Sequence, residues 1–520
     1  MRQDGLYNDS VNVIKRIIWI LLITSTILEI VFFPTTENIV GCLTFVYAWM
    51  LVDKFVFKRK YLLSSLCLPV IAVVGLAFMY FFLPLPITLI EAKPLTFNFE
   101  LPYITWLNQT LFITSVVIAF QICRIIYRPN CWLNSLWRRM GYFQRPTESQ
   151  IWLLGFLGLG ALLLQTSIQG EGSEETVRNM GFLIQFVGFF KSFAFFPVLL
   201  MIPDYQSTTR NNSTFIFKRE VVFYMVLLLL IGVATTKRTI MFQPIIILVV
   251  SYVLLMILKN KIHLSVKRTF LAIIGVYIVT GPISDIAMAM ILNRATSYHQ
   301  SASETFNDVL DLYNDKEKLH YLFQSRLTEY DNQGKNEEGW SEYYVDNILL
   351  DRFCNVRVVD ATIYHAQNLG FGKSMMMKDY TKDFFINLMP SFMLGSVKKN
   401  YDITSPGDIL SSESLRRHTL YRGFRVAGDT GVGLSLWGYS FYIINTLVIA
   451  VFFYFLASML KINNNGNIVI PIPVLASLMT YFMVFGNSMG IFKYFQFMLR
   501  DGWEAILVYC IVFHLIRKIL

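Results

Sequence analysis

Apolar runs of about 17–25 residues recur along the chain, separated by short polar turns, and each is long enough to cross a bilayer as a helix. They lie near 13–33, 38–52, 61–83, 104–124, 150–169, 180–202, 220–236, 240–258, 269–291, 436–460, 468–486 and 502–518. The 38–52 run is short, and Asp501 and Glu504 interrupt the start of the last one. A transmembrane β-barrel would show short segments of alternating polarity instead. The pattern predicts an all-α polytopic membrane protein of about twelve transmembrane helices. Nine fall in 1–291 and three in 436–520, and the 292–435 segment between them is one large, mainly helical extracytoplasmic loop.

That segment of roughly 140 residues is domain-sized. Its 303–330 stretch is polar and amphipathic. Its 340–369 stretch carries Ile348, Leu349, Phe353, Val356 and Ile363 close to a helical stripe. The 383–394 stretch is mostly apolar and holds Met389-Pro390, which ends or kinks a helix; its polar flanks predict a helix lying along the membrane surface. Gly370-Phe371-Gly372 and Ser405-Pro406-Gly407 are expected to form turns. No internal repeat or low-complexity tract is present.

Composition agrees with the pattern. The 520 residues are 55% hydrophobic and only 15% charged, too little charge to cover a soluble protein of this length. Lys and Arg alternate between loops. Lys54, Lys58, Arg59 and Lys60 fall on one side, with Arg124, Arg128, Arg138, Arg139, Arg145, Arg210, Lys218, Arg219, Lys259, Lys261, Lys267, Arg268, Arg517 and Lys518. Glu37, Glu91, Glu100, Glu171, Glu174 and Glu175 mark the other side. The positive-inside rule then puts both termini in the cytoplasm and the 292–435 segment outside. The net charge of +10 is concentrated beside the spans, where topology and anionic lipid account for it without a nucleic-acid partner. Lys15 and Arg16 precede an apolar run too long for a signal-peptide core and without a small-residue cleavage site, so an uncleaved first span is expected. Cys42, Cys67, Cys123 and Cys510 fit as small hydrophobes in or beside spans, and Cys354 has no cysteine partner within the polar segment.

The residues that break the charge rule carry the chemistry. Lys237 and Arg238, in the tight turn Thr235-Thr236-Lys237-Arg238-Thr239, fall on the acidic outer side. Such a pair either snorkels to lipid headgroups or binds an anion. Lys191, inside an apolar run, is the second anomaly. The 292–435 segment adds Arg352, Arg357, Arg416, Arg417, Arg422 and Arg425, and arginine suits bidentate capture of phosphate oxygens. The same residues suit ordinary ion pairs, since Arg357 and Asp360 are three apart on one helix. Groups that could move a proton are His365, His418, Asp408 and Asp429, with Glu413 nearby, and sequence does not choose among them. Asp308, Asp311 and Asp315 lack the Gly and terminal Glu of an EF-hand loop. No P-loop, G-x-S-x-G or zinc spacing occurs, which disfavours an ATP-driven transporter or a serine hydrolase.

Three local patterns together with this architecture resemble the Wzy-type polymerases of bacterial O-antigen and capsule repeat units, within the C-type membrane glycosyltransferases. These are Gly232-Val233-Ala234-Thr235-Thr236-Lys237-Arg238, Asp351-Arg352 opening a helix that leads to Gly370-Phe371-Gly372, and Gly431-Val432-Gly433-Leu434-Ser435-Leu436-Trp437-Gly438-Tyr439. The family often has a Glu in the last pattern, where this chain has Val432; Asp429 is the nearest acid. The resemblance implies transfer of a growing glycan from undecaprenyl diphosphate to a carrier-linked repeat unit at the outer face of the bacterial inner membrane. Lys237, Arg238 and the arginine set would hold the leaving diphosphate, and a base would activate the acceptor hydroxyl if the reaction inverts. It implies no metal or other cofactor and leaves room for a chain-length regulator as partner. A glycan ligase and a lipid-linked-oligosaccharide flippase are the alternatives, the latter opposed by the long outer segment and the lack of paired broken spans in two halves. A cysteine placed at position 237 is expected to react with a membrane-impermeant thiol reagent added from outside; labelling only after the cytoplasmic face is opened would reverse this topology.

Overall fold

The structure is a computed structural model that describes residues 10–171, 187–202, 216–235, 238–260, 270, 274–275, 277–293, 302–333, 340–389, 405–416, 425–464, 466–486 and 489–520. It is helical nearly throughout. Among the described residues the only sheet is a two-stranded antiparallel hairpin, Lys461–Ile462 with Ile468–Val469. Five helices are long and apolar enough to cross a membrane: Thr36–Phe55, Cys67–Ile90, Pro102–Ile126, Ile240–Leu258 and Asp429–Ser458. Glu148–Leu164, Phe189–Met201 and Thr280–Leu292 are shorter apolar helices. Two of the five are interrupted for local reasons. Pro84 and Pro86 lack the N–H that would continue the helix ending at Phe81. Gly438, at φ +56°, separates Asp429–Trp437 from Phe441–Ser458.

One continuous apolar core runs through the bundle, with Phe45, Trp49, Trp106, Phe120, Phe453, Tyr494 and Tyr509 buried in it. Many of its aromatic rings meet edge to face, as Phe45 does with Phe81 at 5.8 Å and with Trp106 at 6.0 Å, and others stack, as Tyr509 does on Phe513. Apolar side chains do not distinguish a helix neighbour from lipid, so polar contacts fix which helices pair. Tyr442 OH donates to Asn108 Oδ1 at 2.6 Å and Asn445 Nδ2 to Ser115 Oγ at 2.9 Å, joining Phe441–Ser458 to Pro102–Ile126. Gly75 serves the same end sterically, because a Cβ there would lie 1.9 Å from the carbonyl oxygen of Phe482.

The apolar runs do not all become straight α-helices. The 180–202 run, where described, holds a 3-10 helix at Phe189–Met201. The three-residue period of that helix aligns Phe190, Phe193 and Phe196, whose rings follow one another at 6.0 and 5.1 Å. The 468–486 run is a strand followed by the one-turn helices Ile472–Ala476 and Leu478–Phe482 and the 3-10 turn Val484–Gly486. Pro471 and Pro473, at the start of Ile472–Ala476, keep that helix from extending back into the strand. The 269–291 run is described only in part. It ends in a π-turn at Val279–Ile283, holding Gly281 and Pro282, followed by Ser284–Leu292.

The 340–369 stretch also differs from a single helix. Residues 340–347 form no helix, Ile348–Asp351 is one turn, and the helix proper is Val356–Leu369. Residues 91–98 compete for the first part. Asp346 and Asn347 donate their N–H groups to Glu91, and Tyr344 OH donates to the Leu95 carbonyl at 2.7 Å. Asn347 then caps the single turn through Leu349 N and Leu350 N. Ser405 is an N-cap rather than a free turn, with Asp408 completing a capping box for Pro406–Ser414. Met375–Leu388 turns Tyr380, Phe384 and Phe385 onto Phe492 and Phe495 at 4.9–5.3 Å, so this apolar face is covered by protein.

The Asp360 carboxylate ties the Val356–Leu369 helix to the bundle, alongside Val356, Val359, Ile363 and Ala366 in the shared apolar core. Asp360, fully buried, accepts from Glu100 N at 2.7 Å, Leu101 N at 3.0 Å, Thr105 Oγ1 at 2.8 Å and Arg357 Nη1 at 2.7 Å. The first three are donors at the start of the Pro102–Ile126 helix, where backbone N–H groups lack intrahelical partners. Asp360→Ala strands a buried guanidinium and three donors together, and is expected to cost about 3–5 kcal/mol. Thr105→Val should cost about 1 kcal/mol. Thermal unfolding in detergent measures both, and an unchanged midpoint for Asp360→Ala would contradict the clamp.

Candidate functional site

The site forms where the Val356–Leu369, Pro406–Ser414 and Asp429–Trp437 helices meet. Close approach of the first and third needs Gly431, since a Cβ there would stand 2.4 Å from the Thr362 methyl carbon. Residues 425–428 thread between them in extended form, and neighbouring elements hold the strand on several sides. Arg425 N donates to Asp408 Oδ1 at 3.2 Å, Val426 N to Glu342 Oε1 at 2.9 Å and Gly428 N to Thr362 Oγ1 at 3.1 Å. Ala427 forms a parallel bridge with Met489.

The residues singled out from sequence separate into distinct groups. His365 is buried, its Nδ1 bonded to Ser414 Oγ and its ring stacked on Trp340 at 4.9 Å. Asp408 is buried as the capping-box acid and also holds the backbone of Arg425. Arg425 is 4% exposed; its Nη1 donates to Ser411 Oγ, and its guanidinium lies 5.7 Å from the centre of the Trp340 ring. His365 and Arg425 therefore converge on Trp340, and Asp408 holds the backbone of Arg425. Asp429 faces away from them, with Oδ1 2.8 Å from Lys493 Nζ and Oδ2 accepting from Tyr494 OH. Arg357 is 2% exposed and committed to Asp360, with Glu100 3.6 Å away. Arg352 and Arg416 are exposed and form no ion pair with a described residue. Lys237, Arg417, His418 and Arg422 lie outside the described residues, and of Arg238 only the backbone is described, as the first residue of Arg238–Leu258.

Sequence reasoning missed Glu342, which Trp340, Val426 and the charges of Arg352 and Arg425 act on. Its Oε1 accepts from Val426 N and, at 3.0 Å, from Trp340 Nε1. Its Oε2 has no hydrogen bond among the described residues, and the side chain is half-buried. Burial raises its pKa above the ordinary carboxylate value, against the opposing effect of the two N–H donors and of the Arg352 and Arg425 charges. Asp351 lies within electrostatic reach. Burial, then the charges of Glu342 and Glu91, push it from 3.8 to about 7 against the pull of Arg352 and Lys93. The helical stripe assigned to 340–369 concealed Glu342 among polar helix positions. Lys493, also missed, carried a legible signal: it is a lone cation in the run Ile491-Phe492-Lys493-Tyr494-Phe495, the same anomaly that marks Lys191.

Among the described residues no group of three or more His, Cys, Asp or Glu side chains is placed to hold a metal ion. The six cysteines are buried free thiols. The arrangement offers instead a fixed half-buried carboxylate with one free oxygen, flanked by a buried arginine and an exposed one. Such a set can accept a proton and face an anion in the same place.

The architecture is that of an all-α protein with five helices long and apolar enough to cross a membrane. No protein-family model, curated protein or solved structure matches the chain.

The Asp351 environment has a consequence for stability. With its folded-state pKa raised, the unfolded chain loses its proton first as pH rises, so stability declines between pH 3.8 and about 7 and stays lower above. Asp351→Asn is expected to remove this decline, raising the unfolding temperature relative to the parent at about pH 8 but not at about pH 4. Parallel pH profiles for the two proteins would refute it.

Proposed function

We propose that the chain is a polytopic membrane glycosyltransferase that polymerises undecaprenyl-diphosphate-linked oligosaccharide repeat units into O-antigen or capsule. In this reading about twelve spans leave both termini in the cytoplasm of a bacterial cell. The 292–435 segment stands at the outer face of the inner membrane and receives both lipid-linked substrates from the bilayer. The observation that carries the reading is Arg352, an exposed guanidinium without an ion pair among the described residues, whose charge acts on Glu342 beside buried Arg425. A leaving diphosphate needs cations that are not already neutralised, and Arg352 meets that requirement where Arg357 does not. Arg416, exposed at φ +51° at the start of the stretch leading to Arg417 and Arg422, is a second cation of this kind. Lys237 and Arg238 complete the diphosphate-binding set from the turn between two apolar runs.

A flippase is the second reading, and one feature favours it. The Lys493–Asp429 ion pair is buried beside short, broken helical segments, an arrangement that transporters use near their substrate sites. The 340–369 and 405–437 regions, elaborated around a proton-accepting group, have no role in that scheme. A glycan ligase would share the chemistry and differ only in the acceptor.

Arg352→Ala, Lys237→Ala and Arg238→Ala are each expected to leave the protein inserted while chain growth falls about 100- to 1000-fold, the loss typical of one transition-state donor. Cells would then display single-repeat glycans, read from the lipid-linked glycan profile. Normal chain lengths in all three variants would defeat the diphosphate clamp. Repeat units trapped on the cytoplasmic leaflet of a deletion strain would instead select the flippase.

A further inference from the structure

We infer that Glu342 is the catalytic base of the transfer, taking the proton of the acceptor hydroxyl through its free oxygen Oε2; this rests on the glycosyltransferase reading above. The four groups that sequence offers for the role divide differently in the structure. Asp408 is occupied in a capping box and by Arg425 N. Both oxygens of Asp429 are engaged by Lys493 and Tyr494. His365 is 1% exposed, beneath Trp340 and bonded to Ser414. His418 lies outside the described residues. Glu342 alone of the carboxylates around Trp340 combines partial exposure, an oxygen without a hydrogen bond among the described residues and a rigid mount.

The mount is what a base requires. Val426 N–H and Trp340 Nε1–H hold Oε1 from two directions, and Trp340 is itself fixed between the His365 ring and the Arg425 guanidinium. One carboxylate oxygen is thereby oriented and the other left to face a substrate. The charged groups acting on Glu342 are Arg352 and Arg425, and Glu342 in turn acts on Asp351. Burial raises the proton affinity of the carboxylate, and the charges of the two arginines oppose that rise.

The step balances without a co-reactant. The acceptor O–H bond breaks and its proton passes to Glu342 Oε2. The hydroxyl oxygen bonds to the anomeric carbon of the donor. The bond from that carbon to the diphosphate oxygen breaks, and its electron pair leaves with polyprenyl diphosphate, whose negative charge Arg352 faces. Protonated Glu342 returns its proton to solvent through its exposed side.

Glu342→Gln tests this closely, because the amide oxygen can still accept from Val426 and Trp340 while the other atom can no longer take a proton. The assay uses the full-length chain in nanodiscs with the lipid-linked repeat-unit fraction extracted from a deletion strain. The parent should elongate this fraction. Glu342→Gln should lose about 100-fold or more of the rate, as expected for loss of a general base, while still binding the fraction. Glu342→Asp should be intermediate, with the acid limb of the rate–pH profile moved. Trp340→Phe, which removes one donor to Oε1, should move the same limb with a smaller loss. A Glu342→Gln rate within threefold of the parent overturns the assignment and leaves the glycosyltransferase reading intact. If the parent makes no polymer from the fraction, the glycosyltransferase reading falls and the base with it. If Glu342→Gln does not fold, Glu342→Asp decides: a moved acid limb supports the assignment and an unmoved one overturns it.

Discussion

The Asp360 carboxylate is the contact on which the architecture around the site depends. It gathers two backbone N–H groups and a hydroxyl at the start of the Pro102–Ile126 helix, and it neutralises the buried Arg357 of its own helix. A buried acid with four donors is stable because its charge is met on every side; removing any donor leaves the rest of a charged cluster in an apolar surround. The Val356–Leu369 helix therefore has one position against the bundle. Thr362, two residues from Asp360, then receives Gly428 N–H, and Gly431 packs against it, so the start of the Asp429–Trp437 helix inherits that position. His365, one turn further, inherits it too.

The 425–428 strand converts that fixed helix into a site. Its N–H groups go in turn to the Pro406–Ser414 helix through Asp408, to Glu342, and to the Val356–Leu369 helix through Thr362. A strand whose donors point to three separate elements cannot slide without breaking bonds to each of them. Glu342 is thus positioned by backbone geometry that is itself set by buried polar contacts. The exposed oxygen of Glu342 is the end of a chain of constraints that begins at Asp360.

Much of the helical framework was legible from the alternation of apolar runs and basic turns. Three kinds of information were not. Hydropathy is blind to helix type, so Phe189–Met201 and the broken 468–486 stretch read the same as a regular span; their prolines and the three-residue spacing of Phe190, Phe193 and Phe196 were the available signs. Periodicity is blind to competition, so 340–347 joined a helical stripe although Glu91 and Leu95, some 250 residues away in sequence, capture its polar groups. Capping was visible but set aside: Ser405 three residues before Asp408 is the pattern of a helix start. The proposed role of Glu342 rests on the second of these, since the residue lies in the 340–347 stretch, and residue type and local spacing did not reveal it.

The arginines show why counting cations in a sequence overstates an anion site. Arg357, a helical turn's distance from Asp360, satisfies a buried acid and has little charge left to offer. Arg425 is held by Ser411 and lies over Trp340, so it shapes the local field without being free to wrap a diphosphate. Arg352, which opens the helix-bearing stretch after a one-turn element, carries no such commitment among the described residues and is exposed. Desolvation explains this division: a guanidinium removed from water must have its anion built into the protein, whereas one kept in water can exchange that water for a substrate oxygen. The cations best suited to a transient phosphate are consequently those the fold uses least. In the proposed reaction the carboxylate has the opposite requirement, since a base must meet one hydroxyl in one orientation. Placing a fixed Glu342 next to an adaptable Arg352 satisfies both demands within one site.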